Sequence, residues 1–195
     1  PTDATVTHWR YEVRHIERLP LGTKYPDVAA RVREIQQNVV HLVKTRTTGP
    51  PPYAIPDVSM QTWMDATGAI PAYDLFIERG IEVTPCFFTH GDRRTEADGR
   101  VTIGKAWLVN RLQALAQDGR LRLPPNHPEA AAMVREFQDY EIRIDQNAND
   151  RYGAFKTGTH DDLVSALGLA VQWSPDPLAW HELERYMANQ GIGIR

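Results

Sequence analysis

The sequence of 195 residues holds a single cysteine, Cys86, which excludes an intramolecular disulfide and leaves no cysteine pair for a zinc site. Cys86 sits in the apolar stretch Val83–Phe88 and is expected as a reduced core thiol. No apolar run is long enough to span a bilayer, and the first residues show no signal-peptide pattern, so the expected compartment is the cytoplasm. There is no Gly-x-x-x-x-Gly-Lys-[Ser/Thr] loop, which excludes a phosphate-loop motor within this chain. Neither sign of charge dominates: the net charge of −3 does not advertise a nucleic-acid binder. Internal repeats and low-complexity tracts are missing as well. With 42% hydrophobic and 24% charged residues, the chain reads as an ordinary folded unit with enough length for a substantial core.

What is present is more pointed. Thr159-His160-Asp161-Asp162-Leu163-Val164-Ser165-Ala166-Leu167-Gly168-Leu169-Ala170 places two adjacent carboxylates at the start of an apolar helix. Leu163, Ala166, Leu167 and Ala170 recur at helical spacing and are expected against a core. Thr159 or Asp161 can cap this helix through a side-chain oxygen. Asp162 then falls one turn before Ala166, on or beside the buried face, where a carboxylate is costly unless a cation or donor meets it. Two readings stand side by side: aspartates that cap the helix and complement its dipole, or aspartates that hold a metal. A third aspartate has a matching setting. Val58–Met64 reads as a short buried strand that ends at Asp65, followed by a turn at Gly68 and a helix opened by Pro71. A carboxylate at the carboxyl end of a parallel strand lies where open α/β sheets place their chemistry, although an aspartate that merely starts a turn reads the same way.

Along the rest of the chain, Trp9–Leu19 alternates as a strand, with Glu12 and Glu17 on its solvent face. A helix from Pro26 to Lys44 follows, with Val28, Val32, Ile35, Val39 and Leu42 on one face, and the prolines at 50–52 form a stiff linker. Further expectations are a helix over Pro71–Arg79, a strand over Glu82–Phe88, a polar loop over Thr89–Gly99 and a helix over Lys105–Gln117. Then come a strand at Leu121–Leu123, a helix over Pro128–Phe137, a strand at Tyr140–Ile144 and a loop over Asp145–Gly158. Ser174–Pro177 breaks the chain before an amphipathic helix at Leu178–Met187. Charge is unevenly spread: residues 1–50 hold 8 Lys and Arg against 5 Asp and Glu, and residues 91–122 hold 7 against 4, while the segments carrying the three aspartates are acidic. Basic loops beside an acidic pocket are what a nuclease needs. The order of elements is that of an α/β sheet with helices on both faces.

Five pieces recur in one order: Met64-Asp65-Ala66-Thr67-Gly68, Gly80-Ile81-Glu82-Val83-Thr84-Pro85, Lys105 opening a helix, Gly119-Arg120-Leu121-Arg122-Leu123-Pro124, and His160-Asp161-Asp162-Leu163-Val164 with Ala166-Leu167. The ordered set resembles the nuclease domain of phage and prophage large terminase subunits, an RNase H-like (RuvC-type) fold, from Tyr11 to Trp173. The resemblance implies an RNase H-like mixed sheet flanked by helices on both faces, with residues 1–173 as the nuclease domain and residues 174–195 as a short helix and tail. It implies a metal-dependent endonuclease that cleaves concatemeric double-stranded DNA during genome packaging, in the host cytoplasm. Its partners would be a terminase ATPase domain, the small terminase subunit and the portal.

By the same resemblance, Asp65, Asp161 and Asp162 would be catalytic and would hold two Mg²⁺ or Mn²⁺ ions roughly 3.5–4 Å apart, hard cations that prefer oxygen ligands. His160 would be accessory, orienting phosphate or water. Arg93, Arg94, Lys105 and Lys156 would meet DNA. Such nucleases also carry a first catalytic aspartate on an N-terminal strand. Before the Tyr11 strand the sole aspartate is Asp3, in a segment without an apolar strand, so that strand is expected to be lacking and the activity of this chain to be reduced. Two alternatives remain: another RNase H-like nuclease such as a junction resolvase, or a non-catalytic DNA- or protein-interaction module.

Overall fold

A computed structural model of the chain describes residues 10–46, 60–144, 150–153 and 161–172. Among them the elements run β1 (Tyr11–Glu12), α1 (Tyr25–Arg46), β2 (Trp63–Asp65), α2 (Ile70–Glu78), β3 (Thr84–Thr89), β4 (Arg94–Ala97), β5 (Arg100–Gly104), α3 (Lys105–Gln117), β6 (Leu121–Arg122), α4 (Ala130–Asp139), β7 (Glu141–Ile144), β8 (Asp150–Gly153) and α5 (Asp162–Ala170). The chain is therefore a mixed α/β protein, as expected. The proline linker, Lys156, Thr159, His160 and the helix expected over Leu178–Met187 lie outside the described residues. No described helix is long and apolar enough to cross a membrane.

The chain divides into two compact units, Arg18–Pro85 and a larger one formed by Pro1–Glu17 with Cys86–Arg195. In the smaller unit, Ala29, Phe76 and Ile81 form the core, with Val28, Val32, Met64 and Val83 packed against it. The α1 stripe is therefore covered only in its first half: Val39 and Leu42 are exposed. Pro71 sits in the first turn of α2, where its missing N–H removes no helical bond. Beyond the other end, Gly80 takes φ +66° and the Ile81 N–H returns to the Phe76 carbonyl at 2.9 Å. That left-handed stop turns the chain into the core through Ile81.

The larger unit is built on β3, β5 and β4. Strands β3 and β5 pair in parallel from Cys86↔Val101 to Thr89↔Gly104, and β4 pairs antiparallel with β5, so the sheet is mixed. The β4–β5 hairpin replaces part of the loop expected over Thr89–Gly99. Its turn is Asp98-Gly99, both with positive φ (51° and 71°), the conformation that a two-residue hairpin requires. β7 and β8 form a second antiparallel pair, Ile142↔Tyr152 and Arg143↔Arg151, where a loop was expected after Ile144. Of the strand expected over Trp9–Leu19, whose Trp9 lies outside the described residues, the described part forms only β1, which pairs in parallel with β6 through Tyr11↔Leu121 and Glu12↔Arg122. Glu12 and Glu17 are exposed, in line with the solvent face assigned to them.

Helix α3 is the spine of this unit. Leu108, Leu112 and Leu115 are at most 2% exposed, as are Val101 and Ile103 of β5, and Cys86 of β3 is fully buried. Gly168 of α5 lies so close to α3 that a Cβ there would overlap the Leu108 side chain. Arg111 is buried on the same helix; its Nε donates to the Val171 carbonyl at 2.8 Å and its Nη2 donates to the Tyr11 hydroxyl at 3.0 Å. The guanidinium also stands 5.7 Å from the centre of the Tyr11 ring. Burial pulls its pKa down to about 10, against the opposing effect of Tyr11, so it stays charged at neutral pH. A cation at the last turn of α5 suits the negative end of the helix dipole. One side chain thus ties β1 and α5 to α3.

Candidate active site

Strand β5 runs into α3 with no intervening loop, because Gly104 is at once the last strand residue and the cap position of the helix. Lys105 therefore opens α3 at the carboxyl end of the β3–β5 parallel pair. The segment after β3 folds back over this junction: the Ala106 N–H donates to the Gly91 carbonyl at 3.1 Å and the Gly104 N–H to the Arg93 carbonyl at 2.8 Å. Helices α3 and α5 touch in matching order, Lys105 with Asp161, Leu108 beside Gly168, and Arg111 with Val171. The two helices consequently run in the same direction, and both N-termini lie at the carboxyl end of the parallel strands. That is where open α/β sheets gather their chemistry.

The Lys105 ammonium donates to Asp161 Oδ2 at 3.0 Å, with the two side chains 31% and 26% exposed. The same ammonium stands 5.9 Å from the centre of the Phe88 ring, near the end of β3. Lys105, expected as a phosphate contact, is thus brought onto one of the expected metal-holding carboxylates. Asp161 occupies the cap position of α5 but makes no side-chain cap; its carbonyl accepts the Ser165 N–H at 2.9 Å. The capping expected from Asp161 is supplied from another helix. Glu136 of α4, itself buried, accepts the Leu163 N–H at 2.8 Å and the Val164 N–H at 3.4 Å on Oε2. Nothing in the residues around Glu136 signals this role, since its partners lie 27 and 28 positions away. Replacing Glu136 by Ala removes the acceptor shared by two first-turn amides of α5, and about 1–3 kcal/mol of stability should be lost in urea unfolding. An unchanged midpoint would show that Glu136 does not hold α5.

Asp162 is exposed, which corrects the expectation of a carboxylate on or beside the buried face. The buried residues of α5 are Leu163, Val164, Leu167, Gly168 and Leu169. Ala166 and Ala170, expected in the core, are instead exposed, and together with Leu163, Leu167 and Met133 they face the β1 segment across a groove of about 490 Å³. The reading by period rotated the helix too far, because alanines fit either face and cannot fix the phase.

Asp65 belongs to the smaller unit. It is exposed at the end of β2, and its Oδ1 accepts the Thr67 N–H at 2.8 Å ahead of Gly68. Its turn-starting role is therefore visible. Of the expected DNA contacts in the larger unit, Arg93 is exposed, whereas Arg94 lies on β4 and meets Glu96 at 2.9 Å. Among the described residues no three His, Cys, Asp or Glu gather as a metal-holding group. At the start of α5 stand two consecutive carboxylates, one of which is paired with Lys105.

No protein-family model and no curated protein sequence matches the chain. Among solved structures, the chain is similar to the large terminase nuclease from thermophilic phage G20c, with a TM-score of 0.54 at 18% sequence identity. The likeness covers 78% of this chain and 64% of that nuclease. At this identity the two share a fold.

Proposed function

We propose that the chain is the metal-dependent endonuclease domain of a phage large terminase subunit, cutting concatemeric double-stranded DNA as a separate ATPase domain packages it. The supporting observation is the placement of Asp161, Asp162 and Lys105 at the carboxyl end of β3–β5, in a fold shared with a large terminase nuclease. In this reading Asp161 and Asp162 would present oxygen donors from the start of α5, and Asp65, on the smaller unit, is kept as a further candidate carboxylate. Bound Mg²⁺ or Mn²⁺ supplies activation of water and stabilisation of the leaving oxygen. Glu136 holds the first turn of α5 so that the aspartate pair keeps its position. Arg93, Lys105 and Lys156 would provide the positive charge that draws in a phosphodiester, with His160 as an accessory residue orienting phosphate or water. The small terminase subunit and the portal would be its partners in the host cytoplasm.

The test is incubation with linear duplex and with a four-way junction in Mn²⁺. Slow cleavage of the linear duplex, lost in Asp65→Ala, is the expected result. Cutting confined to the junction would point to a resolvase instead. Duplex binding without any cleavage would point to an interaction module.

A further inference from the structure

We infer that the edge of β1 is a docking site for a strand donated by another polypeptide, one that alternates apolar and polar residues. This goes beyond the nuclease reading and does not depend on it. The starting point is the main chain. The Tyr11 N–H donates to the Arg120 carbonyl at 2.7 Å and the Val13 N–H to the Arg122 carbonyl at 2.9 Å. Successive residues of a strand turn their main-chain groups to opposite sides, so the Glu12 N–H and carbonyl point away from β6. Among the described residues neither these groups nor the main chain of Arg14 has a hydrogen-bond partner. The edge is nonetheless held in place. Tyr11 meets Arg111 of α3, and the N–H of buried Ile16 donates to His127 Nε2 at 3.3 Å. A fixed, unpaired edge is a template for another main chain.

Beside that edge lies the groove of about 490 Å³. It runs along residues 10–17, and among the described residues none of β6 lines it, which puts it on the unpaired side. Its floor is apolar, made by Leu163, Ala166, Leu167 and Ala170 of α5 with Met133 of α4. The exposed alanines keep the floor low, so the inward side chains of an added strand can rest on them. Helices thus already back the place beside β1 where the next strand of a sheet belongs. These features select the class of partner. An uncharged floor offers nothing to a phosphate, whereas the Glu12 N–H and carbonyl fit a polypeptide main chain. The wall carries both signs, with Arg14 on Glu12 and His15 on Glu17, which suits outward residues that are polar rather than charged with one sign.

The experiment is fluorescence anisotropy with a labelled peptide of about seven residues alternating valine and threonine, long enough to run beside residues 10–17 at a rise of about 3.3 Å per residue. The wild-type chain should bind it saturably. The same peptide with alternate amides N-methylated keeps its side chains but loses donors, and should not bind. Ala166→Glu, which puts a carboxylate on the apolar floor, should weaken binding about tenfold or more. Glu12→Pro, which removes an N–H that β6 does not use, should weaken it roughly fivefold. Circular dichroism checks both variants, and Ala170→Lys repeats the floor test if Ala166→Glu misfolds. No binding by the wild type, equal binding of the methylated peptide, or binding that the floor variants leave unchanged would overturn the inference. A wild-type chain that sediments as a dimer, split to monomers by Ala166→Glu, would give the edge to a second copy and overturn the partner strand. Duplex cleavage in Mn²⁺ reads out the nuclease proposal separately.

Discussion

Gly104→Ala should destabilise the chain by about 3 kcal/mol, lowering the melting midpoint by roughly 6–12 °C. The backbone at Gly104 has φ −67° and ψ 135°, a conformation open to any residue, so the penalty does not come from its dihedral angles. It comes from what surrounds the missing side chain. A Cβ there would overlap the Gly91 carbonyl oxygen and lie 2.6 Å from its carbonyl carbon and 3.1 Å from the Arg93 nitrogen. These are backbone atoms, which cannot swing aside as a side chain can. The segment over β3–β5 would have to lift, stretching the Gly104-to-Arg93 and Ala106-to-Gly91 hydrogen bonds, each worth about 1 kcal/mol. Glycine is also the better residue than alanine at a helix cap. Gly99→Ala is the contrast: nothing lies within 4 Å of its Cβ, and only its φ of +71° resists a side chain, so about 1 kcal/mol is expected. Equal losses for the two variants, measured by urea unfolding, would show that the close approach at Gly104 carries no energy.

The contrast between these two glycines parallels what the sequence could and could not convey. Helix α3 was legible because Trp107, Leu108, Leu112 and Leu115 recur at helical period; beyond its end Gly119 takes φ +66°, with the Arg120 N–H returning to the Leu115 carbonyl at 2.9 Å. The β4–β5 hairpin was missed because Arg94, Thr95, Glu96 and Ala97 carry no apolar alternation, although Asp98-Gly99 is a hairpin signal in its own right. The mixed α/β class was readable from the order of elements. At the candidate site, the residue types were readable and their pairings were not. Lys105 and Asp161 stand 56 positions apart, and only the parallel course of α3 and α5 brings them together. The family resemblance implied phosphate for the lysine and metal for the aspartate, and neither segment by itself signals their ion pair. Glu136 was invisible for the same reason: a cap drawn from another helix leaves no trace in the local sequence. The phase of α5 failed on its alanines, which left Asp162 on the wrong side.

Asp162→Asn separates the two readings of the aspartate pair. Lys105 already balances Asp161, and Asp162 is exposed, so little repulsion between the two carboxylates is left to relieve. In the first turn of α5 its charge favours the helix by about 0.3–1 kcal/mol, so the metal-free variant should match the wild type or lose no more than that. Metal linkage acts in the other direction. A cation that binds only the folded state stabilises it by RT ln(1 + [L]/Kd), about 2.7 kcal/mol at one hundred times Kd. Asp162→Asn should forfeit most of that gain in Mn²⁺ melts. If Asp162 holds a metal as proposed, duplex cleavage should fall by roughly a hundredfold or more, since a neutral amide removes charge from the site. A variant that melts more than about 2 kcal/mol below wild type without metal, yet gains as much from Mn²⁺, would make Asp162 a structural residue of the helix start and remove it from the metal site.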